Sequence, residues 1–193
     1  VICLRIADFD YTRFRFKDLP EEKYTVRHYT ADQIENLQLT VGDILIEKSG
    51  GGEKTPVGRT VLFDKKFPAL FANFMDRLKC HPAILPSFMQ YVLVTFYKNE
   101  YTRNYIKQTT GIQNLDLTSM LSGETIAIPT IAEQTRIAEF LDRKCLEIDS
   151  VISDTKRTIE EYKALKQSII TEAVTRGVRG NRPMKVSRIA WIG

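Results

Sequence analysis

The sequence predicts an α+β protein, in which a mixed α/β domain over residues 1–129 precedes a long α-helix over residues 130–177. Two observations support this division. The first 130 residues hold six of the seven prolines and seven of the ten glycines, so that short apolar runs are broken by turns. Between Pro129 and Gly177, by contrast, neither residue type occurs. We therefore expect a compact domain, one extended helix and a basic tail over 178–193.

Apolar runs bounded by turn signals predict the elements of the first domain. Residues 86–99 are expected to form a helix, because apolar residues recur at three- and four-residue steps from Leu85 to Phe96. Pro86 suits its first turn, where no backbone donor is needed. A short helix is expected over 117–121. The predicted strands cover residues 2–6, 43–47, 59–63, 75–80 and 124–128.

The long helix has a start signal and a stop signal. Thr130 and Glu133 form a capping-box pattern, in which the threonine hydroxyl accepts from the Glu133 amide and the glutamate reaches back to the Thr130 amide. Gly177 stands where a left-handed residue would end the helix. A helix over 131–176 would be roughly 70 Å long at ~1.5 Å per residue. Such a length is unusual for a globular domain and indicates a packing partner.

Apolar residues follow a heptad pattern along this helix, with two exceptions, Thr155 and Lys166, that either weaken a simple dimer seam or fix its register. A small domain cannot cover so long a stripe, so we expect an antiparallel coiled coil with a partner helix. A helix lying on its own domain is the alternative. The heptad positions are Leu141, Cys145, Ile148, Ile152, Thr155, Ile159, Tyr162, Lys166, Ile169 and Ala173.

Charge and composition limit the class of protein only loosely. Residues 1–130 carry 16 Lys+Arg against 15 Asp+Glu, so most of the net charge of +4 lies in the tail. A basic face on the first domain therefore forms only if its acidic residues lie on another face. Three scattered cysteines argue against a disulfide framework or a zinc site and fit a reducing cytoplasm. No apolar run approaches the roughly 20 residues of a membrane span.

The most informative segment is residues 42–59, GDILIEKSGGGEKTPVGR. A predicted strand runs into three consecutive glycines flanked by Lys48, Lys54 and Arg59. Glycines let the backbone approach a bulky partner and cations attract phosphates, so this segment is a candidate phosphate-binding loop. It lacks the G-K-[ST] ending of a nucleotide-binding loop, which argues against ATP or GTP. A flexible hairpin connection is the alternative.

Two weaker segments also bear on binding. Residues 109–116 combine a glycine turn with amide side chains, including Gln113, that could meet base edges, although a turn before the short helix explains them equally well. Alternation over residues 13–17 would place three cations on one strand face. A solvated edge strand gives the same pattern.

Motifs of DNA-modifying enzymes are missing from the sequence. It contains no N-P-P-[FY] or D-P-P-[FY] for adenine methylation and no Gly-rich cofactor fingerprint after an early strand. A nuclease carboxylate–lysine pair needs its two residues on one strand face, whereas Glu47 and Lys48 are adjacent and would point to opposite faces. We therefore expect no catalytic activity and no cofactor.

Several segments together resemble the DNA specificity subunits of type I restriction-modification systems. The most specific match is 133–142, which resembles the start of the conserved spacer helix of that family, while 162–177 resembles its end. The matching segments are 42–59, 73–78 (NFMDRL), 110–115 (TGIQNL), 128–129 (IP), 133–142 (EQTRIAEFLD) and 162–177 (YKALKQSIITEAVTRG).

The resemblance implies a non-catalytic protein that recognises DNA. A family subunit has two recognition domains, each binding one half of a bipartite site in duplex DNA, and two spacer helices that pack antiparallel. Separate modification subunits methylate adenine with S-adenosylmethionine, and a restriction subunit translocates and cuts DNA. By this resemblance, residues 1–129 form one target recognition domain and 130–177 one spacer. We expect this spacer to pair with that of a second copy, giving a homodimer.

The chain also departs from the complete family pattern. Only one recognition domain and one spacer are present. Residues 1–6 resemble a strand some way inside the family's domain, so the opening segment is expected to be missing, and the tail over 184–193 resembles the lead-in to a following domain.

Candidate DNA contacts follow from the cations and from the glycine-rich segment. We expect that segment to contact phosphates, while the weaker candidates would contact bases or nearby phosphates. A coiled-coil assembly module that binds no DNA is the alternative function, supported by the near-neutral charge of residues 1–130. The stronger candidates are Lys48, Ser49, Gly51, Lys54 and Arg59; the weaker ones are Arg13, Arg15, Arg77 and Gln113.

Overall fold

A computed structural model describes residues 1–108 and 111–178 and confirms an α+β fold with a long helix. Two compact units are present, Val1–Glu139 and Phe140–Gly193. The strands are β1 (Ile2–Leu4), β2 (Phe9–Asp10), β3 (Arg15–Phe16), β4 (Ile44–Glu47), β5 (Ser49–Gly50), β6 (Thr60–Leu62), β7 (Ala69–Phe71), β8 (Met75–Leu78), β9 (Ile106–Gln108) and β10 (Gln113–Leu115). The α-helices are α1 (Ala31–Leu37), α2 (Pro86–Lys98), α3 (Leu117–Gly123) and α4 (Ile131–Arg176); 3₁₀ helices cover Ile6–Asp8, Glu21–Lys23 and Tyr101–Tyr105.

Strand β4 lies at the centre of an antiparallel sheet with the order β6-β4-β8 and is buried along its whole length. Leu45 packs with Val61 in one apolar cluster, whereas Ile44 and Ile46 pack in a second cluster with Leu93 of α2. Successive side chains of a strand point to opposite faces, so β4 separates two cores. A strand covered on both faces reads as a continuous apolar run, which explains why this one was predictable.

The first core is rich in aromatic side chains. It includes the parallel pair β1–β7, both strands of which are buried throughout. Phe16 packs edge-to-face against Phe9 and Phe63, with ring centroids 5.4 and 6.1 Å away. Each such aromatic pair stabilises the fold by about 0.5–1.5 kcal/mol more than the burial of its surface area alone. These contacts hold the two-residue strands β2 and β3, whose ladders are short, in place.

The helix predicted over 86–99 is confirmed as α2, Pro86–Lys98. Gln90 lies on its buried face. Its Nε2 donates to the carbonyl oxygens of Phe14 at 3.2 Å and Thr60 at 3.0 Å. This amide therefore ties α2 both to β6 and to the turn that precedes β3.

Four of the five predicted strands are present, as β1, β4, β6 and β8, and the short helix predicted over 117–121 is α3. The fifth, over 124–128, is wrong. The segment after Gly123 pairs with no strand in the described part of the chain, and Ile128 is left 48% exposed. An apolar run becomes a strand only where a partner completes its hydrogen-bond ladder.

The alternating strand proposed for residues 13–17 is also absent. β3 covers only Arg15–Phe16, and Phe14 has a φ of +52° in the turn that joins β2 to β3. A left-handed residue redirects the chain, so the side-chain alternation does not continue through it. Arg13 consequently lies in a turn, and its side chain shares no strand face with Arg15.

Helix α4 begins where the capping signal predicts. The Thr130 hydroxyl oxygen accepts from the Glu133 amide at 3.4 Å. The Glu133 carboxylate pairs with Arg136 on the next turn, so it does not serve as the second half of the capping box.

Gln134 anchors the first turn of α4 in the domain. Its side chain is fully buried, and its Oε1 accepts from the Leu85 amide at 2.7 Å. Its Nε2 donates to the carbonyl oxygens of Ala83 and Pro129 at 3.0 and 2.9 Å. The first compact unit therefore extends into the helix, as far as Glu139.

Beyond Glu139 most of the predicted heptad positions are exposed, while Leu141 and Ala173 are partly exposed. Ile148, Ile152 and Tyr162 are 57%, 45% and 67% exposed. The helix ends at Gly177, which has a φ of +80° as expected of a left-handed stop. The predicted tail lies outside the described residues, apart from position 178. None of the helices described is both long and apolar enough to cross a membrane.

Candidate nucleic-acid interface

The glycine-rich loop is a hairpin connection between β4 and β6 whose parts are hydrogen-bonded. Ser49 and Gly50 form β5, which pairs with β10. Gly52 and Thr55 then close a tight turn through reciprocal backbone hydrogen bonds of 3.0 and 3.1 Å. The segment is therefore a hairpin connection, as the alternative states. Its backbone hydrogen bonds fix the position of the loop's tip.

Two glycines of the loop allow close packing inside the domain. Gly51 has a φ of +59°, and a Cβ there would lie 2.9 Å from the Val57 nitrogen and 3.0 Å from Oε1 of Gln113. Gly58 has a φ of +109°, and its Cβ would lie 2.9 Å from the side chain of Thr102. A larger residue at either position would strain the backbone and collide with a neighbour.

Arg59, which follows the loop, is held by an ion pair. Its Nε and Nη2 donate to the two carboxylate oxygens of Glu47 at 2.7 and 2.8 Å. The guanidinium carbon also lies 3.6 Å from the centroid of the Tyr11 ring. The side chains of Arg59 and Glu47 are only 12% and 2% exposed. Arg59 is thus engaged within the domain, and its guanidinium has little exposed surface with which to contact a phosphate.

The electrostatics of this cluster keep the guanidinium of Arg59 charged. Burial would lower the pKa of Arg59, but the hydrogen bonds and charge of Glu47 outweigh burial and raise it. Burial raises the pKa of Tyr11 to about 12, although the charge of Arg59 opposes this shift. At neutral pH the cluster therefore holds a charged guanidinium against an uncharged phenol.

Gln113 also has a role inside the domain. The residue is 5% exposed, and its Oε1 accepts from the Val57 amide at 3.2 Å. Since this side chain supports the far side of the glycine-rich loop, it does not project toward a base edge.

The outer part of the loop carries the remaining stronger candidates. Lys48 is partly buried and lies 3.3 Å from a carboxylate oxygen of Asp76. Lys54 is exposed, and it forms no ion pair with any residue that the structure describes. A Cβ on Gly52 would meet nothing within 4 Å. The tip is therefore open on its outer side, with Lys54 as its available cation.

The three weaker arginine candidates lie apart from the loop tip. Arg77 donates to the carbonyl oxygens of Gln38 at 2.6 Å and Asn36 at 3.1 Å, so it fixes the segment after α1. Arg15 lies 3.6 Å from Asp18. Arg13 occupies the turn after β2.

A family model for the type I restriction modification DNA specificity domain matches residues 11–161. The matched range is most of the chain and contains both the glycine-rich loop and more than half of α4. The chain belongs to this family. Among residues 1–108 and 111–178, no three His, Cys, Asp or Glu side chains lie close enough together to hold a metal ion.

Individual relatives agree with the family assignment. The chain is 27% identical over 143 residues to the type I restriction enzyme StySPI specificity subunit of Salmonella potsdam, a match covering 73% of this chain and 30% of that protein. A chain from a structure of the type I R-M system, solved to explain its assembly and conformational transition, matches with a TM-score of 0.63 at 18% identity. That match covers 92% of this chain and 39% of the other. At this identity it shows the fold alone, and the present chain spans less than half of either relative.

In this type I specificity domain the outward amide of β10 is Asn114, whereas sequence reasoning chose Gln113 among the amides of residues 109–116. Gln113 and Leu115 are buried, so Asn114 between them points outward and is exposed. The Ser49 hydroxyl donates to its Oδ1 at 2.7 Å. The available signal was strand alternation: an inward Gln113 requires an outward Asn114.

Glu47 and Tyr11 were missed as well. The sequence offers Glu47 only as a possible nuclease carboxylate, whereas in the structure it is the partner of Arg59. A charged residue at the end of a buried apolar run indicates such a partner, although its identity depends on the tertiary fold.

Proposed function

We propose that this chain is the DNA-recognition part of a type I restriction-modification complex and binds one half of a bipartite site in duplex DNA. The observation that carries this proposal is the family match over residues 11–161, because it includes the glycine-rich loop and the beginning of the helix together. The Salmonella relative is itself a specificity subunit. Residues 1–129 would be the target recognition domain and 130–177 the spacer.

The glycine-rich loop is the proposed contact with the DNA backbone. Lys54 supplies the charge at its open tip, the backbone around Gly51 and Gly52 allows close approach, and Lys48 and Ser49 extend the surface toward β5. Phosphate contacts fix the position of the protein on the duplex, whereas sequence choice needs contacts to base edges.

A second contact is proposed at the turn after β2. Tyr11 in this turn stacks on Arg59, so the turn and the base of the loop are joined through one cluster. Arg13 lies two residues beyond Tyr11 and is exposed. Arg13 is proposed as a phosphate contact because it is exposed in this turn. Arg77 donates to the carbonyl oxygens of Gln38 and Asn36, and Arg15 lies 3.6 Å from Asp18, so both are assigned to the stability of the domain.

The exposed stripe of α4 is proposed to pack antiparallel against another spacer helix. In this chain by itself that helix would belong to a second copy, which gives a homodimer with two recognition domains. The stripe comprises mainly apolar residues whose exposure in one chain is hard to sustain in water. Its proposed contact residues are Leu141, Cys145, Ile148, Ile152, Ile159, Tyr162 and Ile169.

Chemistry is assigned to other subunits in this proposal. The chain would place adenine methyltransferase subunits on DNA, and through them the restriction subunit, without using a cofactor of its own. A protein with this role acts where the chromosome and these subunits are, in the cytoplasm.

The test is selection from a library of randomised DNA duplexes by the full chain assembled with its methyltransferase subunits. The proposal predicts enrichment of one motif that depends on the presence of this chain. Assembly of the subunits without sequence enrichment would contradict DNA recognition, and failure of assembly would contradict the role assigned to the spacer.

A further inference from the structure

Three polar side chains form a row across the small sheet beside the glycine-rich loop. Asn114 of β10 is the central member. Its neighbour on β5 is Ser49, and its neighbour on β9 is Lys107. Directly paired residues of adjacent antiparallel strands project to the same face, so the three side chains share one surface. Asn114 and Lys107 are exposed on it, and Ser49 is partly exposed.

Hydrogen bonds fix the central amide of this row. The Ser49 hydroxyl donates to Oδ1 of Asn114 at 2.7 Å. That oxygen retains a second lone pair, and among the residues that the structure describes none accepts from Nδ2, which has two hydrogens to donate. On the far side, Lys107 Nζ lies 2.7 Å from Asp116, whose carboxylate also accepts from the Ser119 amide at 3.1 Å. The bond from Ser49 thus orients the amide before any ligand binds, and Asp116 holds Lys107 in place beside it.

A carboxamide with one acceptor position and one donor position matches adenine. Asparagine binds the major-groove edge of adenine in two places, accepting from N6 and donating to N7. A major groove admits a two-stranded β-ribbon, and β9 with β10 forms such a ribbon next to the phosphate-binding tip. Ile112, at the end of this ribbon, is 50% exposed and offers an apolar contact suited to a thymine methyl group.

We propose that Asn114, oriented by Ser49, recognises an adenine of the target through the major groove. The inference rests on the proposed function, and it adds the residue that contributes sequence choice at one position. Lys107 would exchange part of its pairing with Asp116 for a nearby phosphate. Gln113, the neighbouring amide, supports the loop instead, so adjacent amides on one strand have separate roles.

The experiment repeats the duplex selection with Asn114→Ala, Asn114→Asp and, as a matched control, Asn36→Ala. Asn36 is exposed on α1, away from the row. The proposal predicts that Asn114→Ala loses the preference for adenine at one position, by about 5- to 150-fold, and keeps the rest of the motif. Asn114→Asp, which can only accept, should move that position toward cytosine, whose N4 donates. Asn36→Ala should select the wild-type motif.

A second measurement separates a direct contact between Asn114 and the base from a merely structural effect of the substitution. Replacing the preferred adenine by 7-deazaadenine removes the N7 acceptor and should weaken the wild type at that position. The same replacement should not weaken Asn114→Ala any further.

Two negative outcomes are distinguishable. If wild type selects a motif and Asn114→Ala selects it with every position equally sharp, the assignment of Asn114 is overturned while the proposed function stands. If the assembled wild type selects no motif, the proposed function is overturned, and the assignment of Asn114 with it.

Discussion

Arg59 donates two hydrogen bonds to Glu47, at 2.7 and 2.8 Å, across the base of the glycine-rich loop. Both side chains are almost fully buried, and their backbones are joined by a hydrogen bond of 2.9 Å from the Glu47 amide to the Arg59 carbonyl. The pair therefore fixes the two ends of the loop at one point. Because Tyr11 stacks on the guanidinium, the pair also holds the turn that carries Arg13.

Arg59→Ala should destabilise the domain by about 3–5 kcal/mol, because it leaves the buried carboxylate of Glu47 without its partner. Urea denaturation measures this as a lower midpoint. Arg103→Ala is the matched control, since its ion pair with Glu100 is exposed and should contribute no more than about 1 kcal/mol. Equal midpoints for the two variants would contradict the structural role of Arg59.

Lys54→Ala should weaken DNA binding at all sequences and lower the slope of log affinity against log salt by about one unit. The reason is that each phosphate neutralised by a cation releases condensed counterions. The measurement is fluorescence anisotropy of a labelled duplex over a salt series. Lys66→Ala, an exposed lysine outside the loop, should leave the slope unchanged, and an equal change in both variants would count against a specific contact.

Tyr11→Phe should remove one phenol that titrates near pH 12, because burial raises the pKa of Tyr11 to about 12 from an ordinary value of 10.0. A raised pKa of this kind means that the folded state holds the proton more tightly than the unfolded state. Tyr11 thus contributes stability that is complete below pH 10 and is lost as the pH rises toward 12. Tyrosinate absorbance and denaturation midpoints across this range test it. A wild-type decline that Tyr11→Phe leaves unaltered would contradict the assignment.

Gln134→Ala should destabilise the domain by about 0.5–1.5 kcal/mol for each hydrogen bond lost, since its amide bonds to the backbone of Leu85, Ala83 and Pro129. Hydrogen exchange at the Leu85 amide should become faster as the first turn of α4 loosens. Gln167→Ala, an exposed glutamine on the same helix, is the control. Unchanged exchange at Leu85 would show that this contact does not anchor the helix.

Ile152→Asp should abolish the proposed homodimer, because it places a charge at the centre of the apolar stripe of α4. Light scattering at several protein concentrations gives the mass of each species. Ser150→Asp, on the opposite side of the helix, should remain dimeric. A monomeric wild type at high concentration would contradict the proposed pairing of spacers.

Periodicity and local signals predicted the elements that depend on neighbouring residues. The helix α2, the long helix α4 with its stop at Gly177, and the buried strand β4 follow from apolar spacing and capping residues. The segment over 124–128 has a strand-like sequence but finds no described partner, because strand pairing depends on residues far away in the chain. The turn at Phe14 was missed for a related reason, since nothing in its own residue type requires a positive φ.

The candidate site shows the same limit. Residue types indicated that a loop with glycines and cations could bind phosphate, and the structure leaves Lys54 exposed at its tip. The pairing of Arg59 with Glu47 was not predictable, because the two residues meet only when β4 and β6 are paired. The inward direction of Gln113 likewise depends on which face of β10 meets the second core.

The most direct test of DNA recognition is the mapping of methylated adenines in cells that express this chain with its methyltransferase subunits. We expect methylation at a single bipartite motif, palindromic if two copies of the chain assemble, and loss of that methylation when the chain is omitted. Methylation without a motif, or a motif that persists without this chain, would contradict it.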